Sequence, residues 1–279
     1  MLIFHITFHL SYFFFHFNML KREKQIIDYF EKKKELQNFI LDFLEGTTEI
    51  DEDSEIINFL NEHQIGEDPE ELNHFLHLIS NISNNHHRNP GFLDKIERIL
   101  VMIKDYMKNI KNFDIERIFH KNKRILLFLF ENEIITFDET IQEIYSNEDK
   151  YDDKFDYCQF FSHEIKQNNK SDQEVKNEII EDEYYEAKRQ LGENDTYISE
   201  LIRQDSVEKL SYYLTKNNIS PRILIPKSIY ETNVLLLEKR PTLIEYASFF
   251  GSIEVFKYLQ FSGAEINSDI WKYAIHSNN

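Results

Sequence analysis

The stretch Pro241–Ser268, which reads PTLIEYASFFGSIEVFKYLQFSGAEINS, decides the fold. Thr242 and Glu245 have the spacing of a capping box, in which each side chain bonds the other residue's free backbone amide at a helix start. Gly251 predicts the end of this first helix, because glycine tolerates the left-handed conformation just beyond a helix. Ser252 then predicts the N-cap of a second helix. The stretch therefore predicts two short helices joined by a tight turn.

The two predicted helices carry faces suited to close packing. Ala247 and Ser248 are small, which lets two helices approach each other. One face of the second helix carries an apolar set: Ile253, Phe256 and Leu259. Gly263 predicts the end of that helix. We therefore expect this stretch to bury one face of each helix against neighbouring elements.

The same stretch resembles an ankyrin repeat, whose pattern runs T-P-L-H-x-A-A, two residues, Gly, E-V-V-x-L-L-L, two residues, G-A-D-V-N. The residues in register are Thr242, Ile244, Ala247, Gly251, Glu254, Val255, Leu259, Gly263, Ala264 and Asn267. In a departure from the pattern, Glu245 stands at the usual histidine and Pro241 precedes the threonine. The Thr–His hydrogen bond typical of the family is therefore lost, and the capping box can replace it.

Further copies of the repeat surround the intact one at 241–268. A divergent copy spans 196–220, where Ser206, Val207 and Glu208 match Ser252, Ile253 and Glu254, and a partial copy spans 269–279. Between them lies an insertion at 221–240, in which residues 228–231 could begin a short helix. The chain thereby resembles a large protist family of ankyrin-repeat proteins with a helical N-terminal domain of unknown function, in which the array normally continues. Residues 195–279 are accordingly expected to be a truncated array, poorly stable alone.

The resemblance implies a non-catalytic, monomeric module that binds a protein partner. Ankyrin arrays bind partners on a concave face built from first helices and the loops between repeats. The candidate contacts are Glu245, Phe249, Phe250, Gln260, Lys272 and His276, with the loop 260–267. The incomplete last repeat would leave Trp271, Tyr273 and Ile275 on an open apolar surface. No cofactor, metal or catalytic residue is implied.

A short pattern recurs along the chain: an aromatic residue, Leu, four residues, then Ile or Ala. Its four copies begin at Phe59, Phe128, Tyr213 and Tyr258 and end at Ile65, Ile134, Ile219 and Ala264. The pattern favours a helix that ends in a left-handed residue, with the following apolar residue folded back onto the last turn. Such copies predict stacked helical repeats. A chance recurrence in a leucine- and aromatic-rich helical protein is the alternative, most of all for the first two copies.

Residues 21–165 read as a helical domain. Apolar residues spaced three to four apart predict amphipathic helices over Lys21–Glu45, Leu93–Ile110, Ile118–Phe130 and Phe137–Tyr145. In the first of these, the stripe consists of Ile26, Ile27, Phe30, Leu36, Phe39, Ile40, Phe43 and Leu44. Residues 166–194 are polar and charged, which predicts a surface helix flanked by linkers and marks the domain boundary. The predicted fold class is all-α, a helical N-terminal domain followed by a short ankyrin-type solenoid.

The segment 1–20, MLIFHITFHLSYFFFHFNML, is uncharged and has the length of one membrane span. It is open to three interpretations: a signal anchor, a cleaved signal peptide, or a wrongly included upstream stretch with Met19 as the true start. Against a signal peptide stand the missing basic n-region and cleavage site. Against an anchor stand three histidines, which are costly in a bilayer core. Membrane attachment is therefore expected only if this segment is genuine.

The composition excludes several function classes. With 32 basic and 50 acidic residues the net charge is −18, which argues against nucleic acid as a default partner. One cysteine, Cys158, excludes an internal disulfide framework and fits a reducing compartment such as the cytoplasm or nucleus. Six glycines leave little room for a glycine-rich phosphate loop.

An enzyme or metal protein built on 21–165 is the less favoured alternative. His74 and His77 share a helix face that could seat a metal with a carboxylate. His63 and the pair at 86–87 also occur there, in a region rich in asparagine. Cys158 and His163 would have to meet in space to form a nucleophile, and the cysteine is expected to pack as a small apolar residue.

Overall fold

A computed structural model describes residues 2–46, 53–85, 91–145, 156–168 and 183–277, with side chains from residue 23 onward. About 70% of the chain is helical and the described ranges contain no β-strand, which confirms the all-α class. The chain divides into two compact units, 1–71 and 72–279. The predicted boundary at 166–194 stays a prediction, and part of that segment lies outside the described residues.

The unit 1–71 contains two whole helices and the start of a third. They are α1 (Leu2–Glu45), α2 (Asp53–Glu62) and the first turn of α3 (Pro69–Asn85). Within this unit Phe39 of α1 stacks on Phe59 of α2, with ring centroids 3.6 Å apart. The predicted apolar stripe of α1 is only half buried: Leu36, Ile40, Phe43 and Leu44 are buried, whereas Ile26, Ile27 and Phe30 are exposed. The periodicity thus identified the helix but overextended its buried face.

The unit 72–279 contains the rest of α3 and fourteen further α-helices within the described ranges. These are α4 (Phe92–Met102), α5 (Lys104–Met107), α6 (Asn112–Phe119), α7 (Lys123–Glu131), α8 (Glu139–Tyr145), α9 (Tyr157–Phe160), α10 (Ser162–Asn168), α11 (Tyr185–Leu191), α12 (Tyr197–Arg203), α13 (Val207–Lys216), α14 (Val234–Glu238), α15 (Leu243–Phe250), α16 (Ile253–Phe261) and α17 (Ile270–Ala274), which continues into a 3-10 turn at Ile275–Ser277.

Two predicted helices are broken in the structure. The predicted helix Leu93–Ile110 divides at Ile103 into α4 and α5. The predicted helix Ile118–Phe130 divides at residues 120–122, where Asn122 caps α7 by accepting a hydrogen bond from the Ile125 backbone amide. The helices on both sides of each break bury an apolar face, so the apolar spacing in the sequence continues across the break. Apolar spacing alone therefore does not show where one helix ends and the next begins.

An aromatic cluster packs the middle of this unit. Tyr145 of α8 lies with its ring centroid 5.1 Å from that of Phe161 and 4.9 Å from that of Tyr157. The Tyr145 hydroxyl donates to the buried Glu116 carboxylate at 3.0 Å. Burying large rings gives much apolar contact per residue, and the Tyr145 hydroxyl has a partner deep in the cluster.

Helix α11 lies within the predicted surface helix of 166–194, and four of its seven residues are exposed, but two of its side chains reach into the interior. Tyr185 and Arg189 on this helix are almost completely buried. The Arg189 guanidinium donates to both carboxylate oxygens of Glu164 at 2.8 and 2.9 Å and to the Phe160 carbonyl at 3.1 Å. Burial acts to lower the pKa of Arg189, but the carboxylates of Glu164 and Glu186 raise it, so the buried charge is retained. The charged sequence of this segment therefore does not indicate that α11 is held to the rest of the unit by two buried side chains, Tyr185 and Arg189.

All four copies of the recurring pattern form the predicted helix ends. In each, the backbone amide of the final apolar residue donates to the carbonyl of the leucine of the pattern, at 2.9–3.0 Å. The residue just before it has a left-handed backbone, with φ between 52° and 88°. These left-handed residues are Gln64, Glu133, Asn218 and Gly263. The helix-end prediction is therefore confirmed at all four sites, whereas stacking of the four copies as repeats stays a prediction.

No helix in the described part of the chain is long and apolar enough to cross a membrane. The side chains of 1–22 lie outside the described residues, so the interpretations of segment 1–20 stay predictions.

Candidate functional site

Two helix pairs, α12–α13 and α15–α16, form the C-terminal part of the chain. Helix α15 packs against α12 on one side and α17 on the other, and α13 packs against α16. Their shared core consists mainly of aliphatic side chains with Tyr246, Phe249 and Tyr273 among them. First helices thus form one layer and second helices another, which places the predicted binding residues of α15 and α17 in the same layer.

The turn inside each pair has the same backbone geometry. Asp205 between α12 and α13 has φ 49°, and Gly251 between α15 and α16 has φ 68°. In the first turn the Ser206 amide donates to the Leu201 carbonyl at 3.0 Å. The second turn has the equivalent bond, from Ser252 to Ala247 at 2.9 Å. Gly251 therefore ends the first helix as predicted, and a non-glycine residue fills the same role in the other pair.

The predicted capping box at the start of α15 is confirmed. The Thr242 backbone amide donates to a Glu245 carboxylate oxygen at 2.8 Å, and the Glu245 amide donates to the Thr242 hydroxyl oxygen. The other Glu245 oxygen accepts from the Asn267 side-chain amide at 2.6 Å. Glu245 therefore joins the start of α15 to the loop that precedes α17.

The predicted N-cap bond from Ser252 is wrong. Ser252 occupies the N-cap position of α16, but its hydroxyl is buried and has no hydrogen-bond partner among the described residues. Asp205, from the neighbouring pair, supplies the cap instead: its carboxylate accepts from the Val255 amide at 2.8 Å and the Glu254 amide at 3.2 Å. A carboxylate at a helix N-terminus also complements the helix dipole, so this contact links the two pairs.

The other residues that define the predicted repeat also have structural roles. Ala247 is completely buried between helices, Leu259 is buried on α16, and Ala264 closes the last turn after Gly263. The buried face of α16 differs from the predicted one, because Val255 and Leu259 are buried while Ile253 is exposed. The buried contact of α16 is made by Val255 and Leu259, which are four residues apart, together with the half-buried Phe256 and Tyr258. The predicted set, spaced three residues apart, does not form it.

Two of the predicted partner-binding residues lie inside the protein. Glu245 is buried in the capping box, and Phe249 is buried in the shared core. The Phe249 ring lies 5.2 Å from the ring of His276, measured between centroids. Phe250, at the end of the same helix, is half-buried.

The remaining predicted contacts are nearer the surface. Gln260 is exposed at the end of α16, while Lys272 and His276 are half-buried in and after α17. The Lys272 ammonium pairs with the Asp269 carboxylate at 2.9 Å, and this hydrogen bond raises the pKa of the lysine. Whether these residues bind a partner stays a prediction.

Apolar side chains near these residues are open to solvent. Phe261 is 89% exposed, Ile275 61% and Trp271 55%. Trp271 and Ile275 are four residues apart and share a helix face, as expected for the open surface. Tyr273 differs from that expectation because it is buried, and its hydroxyl donates to the Lys239 carbonyl at 3.2 Å. Phe261 belongs to the predicted contact segment 260–267, although it is the last residue of α16 rather than part of a loop.

The histidine and cysteine candidates do not form a cluster with recognisable chemistry. His74 and His77 are both exposed on α3, residues 86–87 lie outside the described residues, and the described ranges contain no group of three or more His, Cys, Asp or Glu suited to a metal ion. Cys158 is buried on α9. His163 directs Nδ1 to the Glu186 carboxylate at 3.0 Å.

A buried acid–base pair lies where the insertion 221–240 meets α7. The predicted helix at 228–231 is a turn, and α14 begins only at Val234. That turn places Glu231 inside the unit, 6% exposed, where burial raises its pKa to about 7. Lys123 on α7 is fully buried and donates to the Ile229 carbonyl at 2.7 Å, and burial lowers its pKa to about 7. Neither residue stands out by type or spacing, so the sequence gives no signal of this burial.

Comparison with known proteins adds no relative. No protein-family model matches the chain, and no curated protein or solved structure matches it either.

Proposed function

We propose that residues 195–279 form an ankyrin-type, non-catalytic module that binds a protein partner. The proposal is supported by the repetition of one helix–turn–helix design in α12–α13 and α15–α16, with equivalent left-handed turns and equivalent helix ends. Stacked repeats of this kind bury their apolar faces against neighbours and offer an extended surface for binding. The sequence resemblance over Pro241–Ser268 supports the same class.

The binding role is supported mainly by large apolar side chains that are exposed beside polar ones, on the layer formed by the first helices of the pairs. Trp271 and Ile275 share one exposed face of α17 and its 3-10 turn, and Lys272 lies next to them. Clustered exposed apolar groups rimmed by polar ones are typical of protein-binding surfaces, where tryptophan often contributes most to affinity. We call Trp271, Lys272 and Ile275 the α17 face.

Quantitative affinity capture with the full chain tests this role. The double variant Trp271→Ala/Ile275→Ala changes the α17 face, and Tyr212→Ala changes an exposed aromatic residue (66%) on the other layer. We expect the captured amount of a specific partner to fall about tenfold or more with the first variant and to stay unchanged with the second. Equal capture by both variants and the parent chain would exclude the α17 face as the binding surface.

A further inference from the structure

The N-terminal half of α1 exposes two large apolar side chains. Ile27 is 56% exposed and Phe30 is 64% exposed. Glu23 and Lys34, one turn before and one turn after this pair, are also exposed. The four residues follow one another at intervals of four, three and four, which is the spacing of the contact positions in a coiled coil. We call Glu23, Ile27, Phe30 and Lys34 the α1 seam.

The α1 seam lies away from the buried face of the helix. Leu36, Ile40 and Phe43 belong to that buried face. Leu36 follows Lys34 by two residues, which places it about 200° further around the helix. The packing of α1 therefore leaves the seam open to solvent. Exposed apolar groups rimmed by charged ones are typical of interaction surfaces.

The order of charges along the seam fits a second copy of the same helix that runs antiparallel. With a two-fold axis between Ile27 and Phe30, each Ile27 lies against the partner's Phe30. The same axis sets each Glu23 against the partner's Lys34. A parallel pair in register would instead set glutamate on glutamate and lysine on lysine, which is unfavourable. The seam is therefore complementary to itself in the antiparallel orientation and not in the parallel one.

The residues beside the seam are complementary in the same orientation. Lys24 and Glu31 are exposed and lie on one side of the seam, seven residues apart. In the antiparallel pair the Lys24 ammonium of each copy lies near the partner's Glu31 carboxylate. On the other side the exposed Ile26 lies near the partner's Lys33, whose hydrocarbon stem can cover it. The Lys33 ammonium itself is paired with Glu71 of its own chain, so its charge is balanced there.

We propose that the α1 seam joins two copies of this chain in an antiparallel, two-fold dimer, with Ile27 and Phe30 at the centre and ion pairs between Glu23 and Lys34 at both ends. One exposed helix face gives a small interface, and small interfaces are typical of weak, reversible association. The exposed ion pairs set the orientation more than the affinity. This dimer differs from the monomer that the sequence resemblance implies, and it does not depend on the proposed partner binding at the α17 face.

Sedimentation velocity of the full chain tests the proposal, at concentrations from about 1 to about 500 µM and in about 0.15 M salt. We expect a monomer–dimer equilibrium. Phe30→Ser should weaken it about tenfold or more, because it removes the centre of the apolar contact. Tyr212→Ser, which changes an exposed aromatic residue of α13, is the matched control and should leave it unchanged.

Two outcomes of this experiment contradict the dimer. A chain that stays monomeric over the whole range would overturn the proposal and leave the seam to a partner of another kind. Dimerisation that is equally strong in Phe30→Ser and in the parent chain would come from another surface and would also overturn it.

Charge exchange tests the orientation of the two helices. Glu23→Lys and Lys34→Glu each set like charges together at both ends of the seam, so each should weaken dimerisation about fivefold or more. The double variant Glu23→Lys/Lys34→Glu brings opposite charges together again and should restore it. An equimolar mixture of the two single variants should do the same, by forming a mixed dimer.

Both exchanged side chains are exposed, so the variants should keep the fold, which circular dichroism checks. If neither single variant weakens dimerisation, or if the double variant or the mixture fails to restore it, the antiparallel pairing at the α1 seam is overturned.

Discussion

The helix pairs α12–α13 and α15–α16 share their backbone turns but not the residues that make them. Where the second pair uses Gly251 and Gly263 in the left-handed conformation, the first uses Asp205 and Asn218. Glycine adopts that conformation at no steric cost, and Asp and Asn adopt it at a modest one. The same backbone turns can therefore be formed by different residues in the two pairs.

The helix starts differ more than the turns. Thr242 and Glu245 form a complete capping box. The equivalent residues of the first pair are Thr196 and Ser199, whose hydroxyl oxygens are 2.8 Å apart and which give the backbone no side-chain cap. Of these two helix starts, only that of α15 has a side-chain cap.

The largest expected effect is that of Glu245→Ala. The variant removes the buried acceptor of the Thr242 amide and of the Asn267 side chain, so we expect a loss of about 3 kcal/mol in the free energy of unfolding. Ser199→Ala at the equivalent position should cost only about 1 kcal/mol. Urea unfolding followed by the fluorescence of Trp271, the single tryptophan, measures both. Equal losses would show that the two helix starts are energetically alike.

A smaller loss is expected for Asp205→Ala. Asp205 caps α16 from the other pair, so the variant should cost about 2 kcal/mol by removing the cap and by leaving alanine in a left-handed turn. Asp205→Asn is the matched control, because it keeps an acceptor oxygen and tolerates the turn, and should cost under about 1 kcal/mol. A neutral Asp205→Ala would mean that the link between the pairs does not contribute to stability.

These contacts show what the sequence could and could not predict. The all-α class, the capping box and the four helix ends depend on residues close together in the chain, so spacing and residue type were sufficient. The cap from Asp205 to α16 joins residues about fifty positions apart, and no local pattern records it. Ser252 was predicted as the cap because it is the nearest suitable hydroxyl.

The candidate site was predicted less well than the fold, for a related reason. Phe249 and Phe250 are adjacent aromatic residues on one helix, yet only Phe249 is buried, and that depends on the helices packed around it. Glu231 lies in an insertion without periodicity, and only the turn at 229–230 brings it into the interior. Burial of a polar residue is set by tertiary packing, which composition and spacing do not reveal.

Opposite signs are expected at the two left-handed helix ends. Gly263→Ala forces a side chain into φ 88° and brings its Cβ to 3.4 Å from the Arg222 guanidinium, so we expect a loss of about 1 kcal/mol. Asn218→Gly relieves the strain in the first pair and should gain about 0.5 kcal/mol, since part of the benefit is lost to the greater freedom of glycine in the unfolded chain. The same urea titration measures both. Losses in both variants would show that Asn218 has a role beyond its backbone conformation.

The smallest expected effect is that of Ser252→Ala, and it separates the two accounts of how α16 begins. A serine that caps a helix costs about 1 kcal/mol when replaced by alanine. Because the Ser252 hydroxyl is buried without a partner and Asp205 already accepts from the first amides, we expect a change within about 0.5 kcal/mol. A double-mutant cycle with Asp205→Ala sharpens the test. If Ser252 takes over the cap when Asp205 is removed, Ser252→Ala will become costly only in the Asp205→Ala background. A loss of 1 kcal/mol in the parent chain would restore Ser252 as the cap.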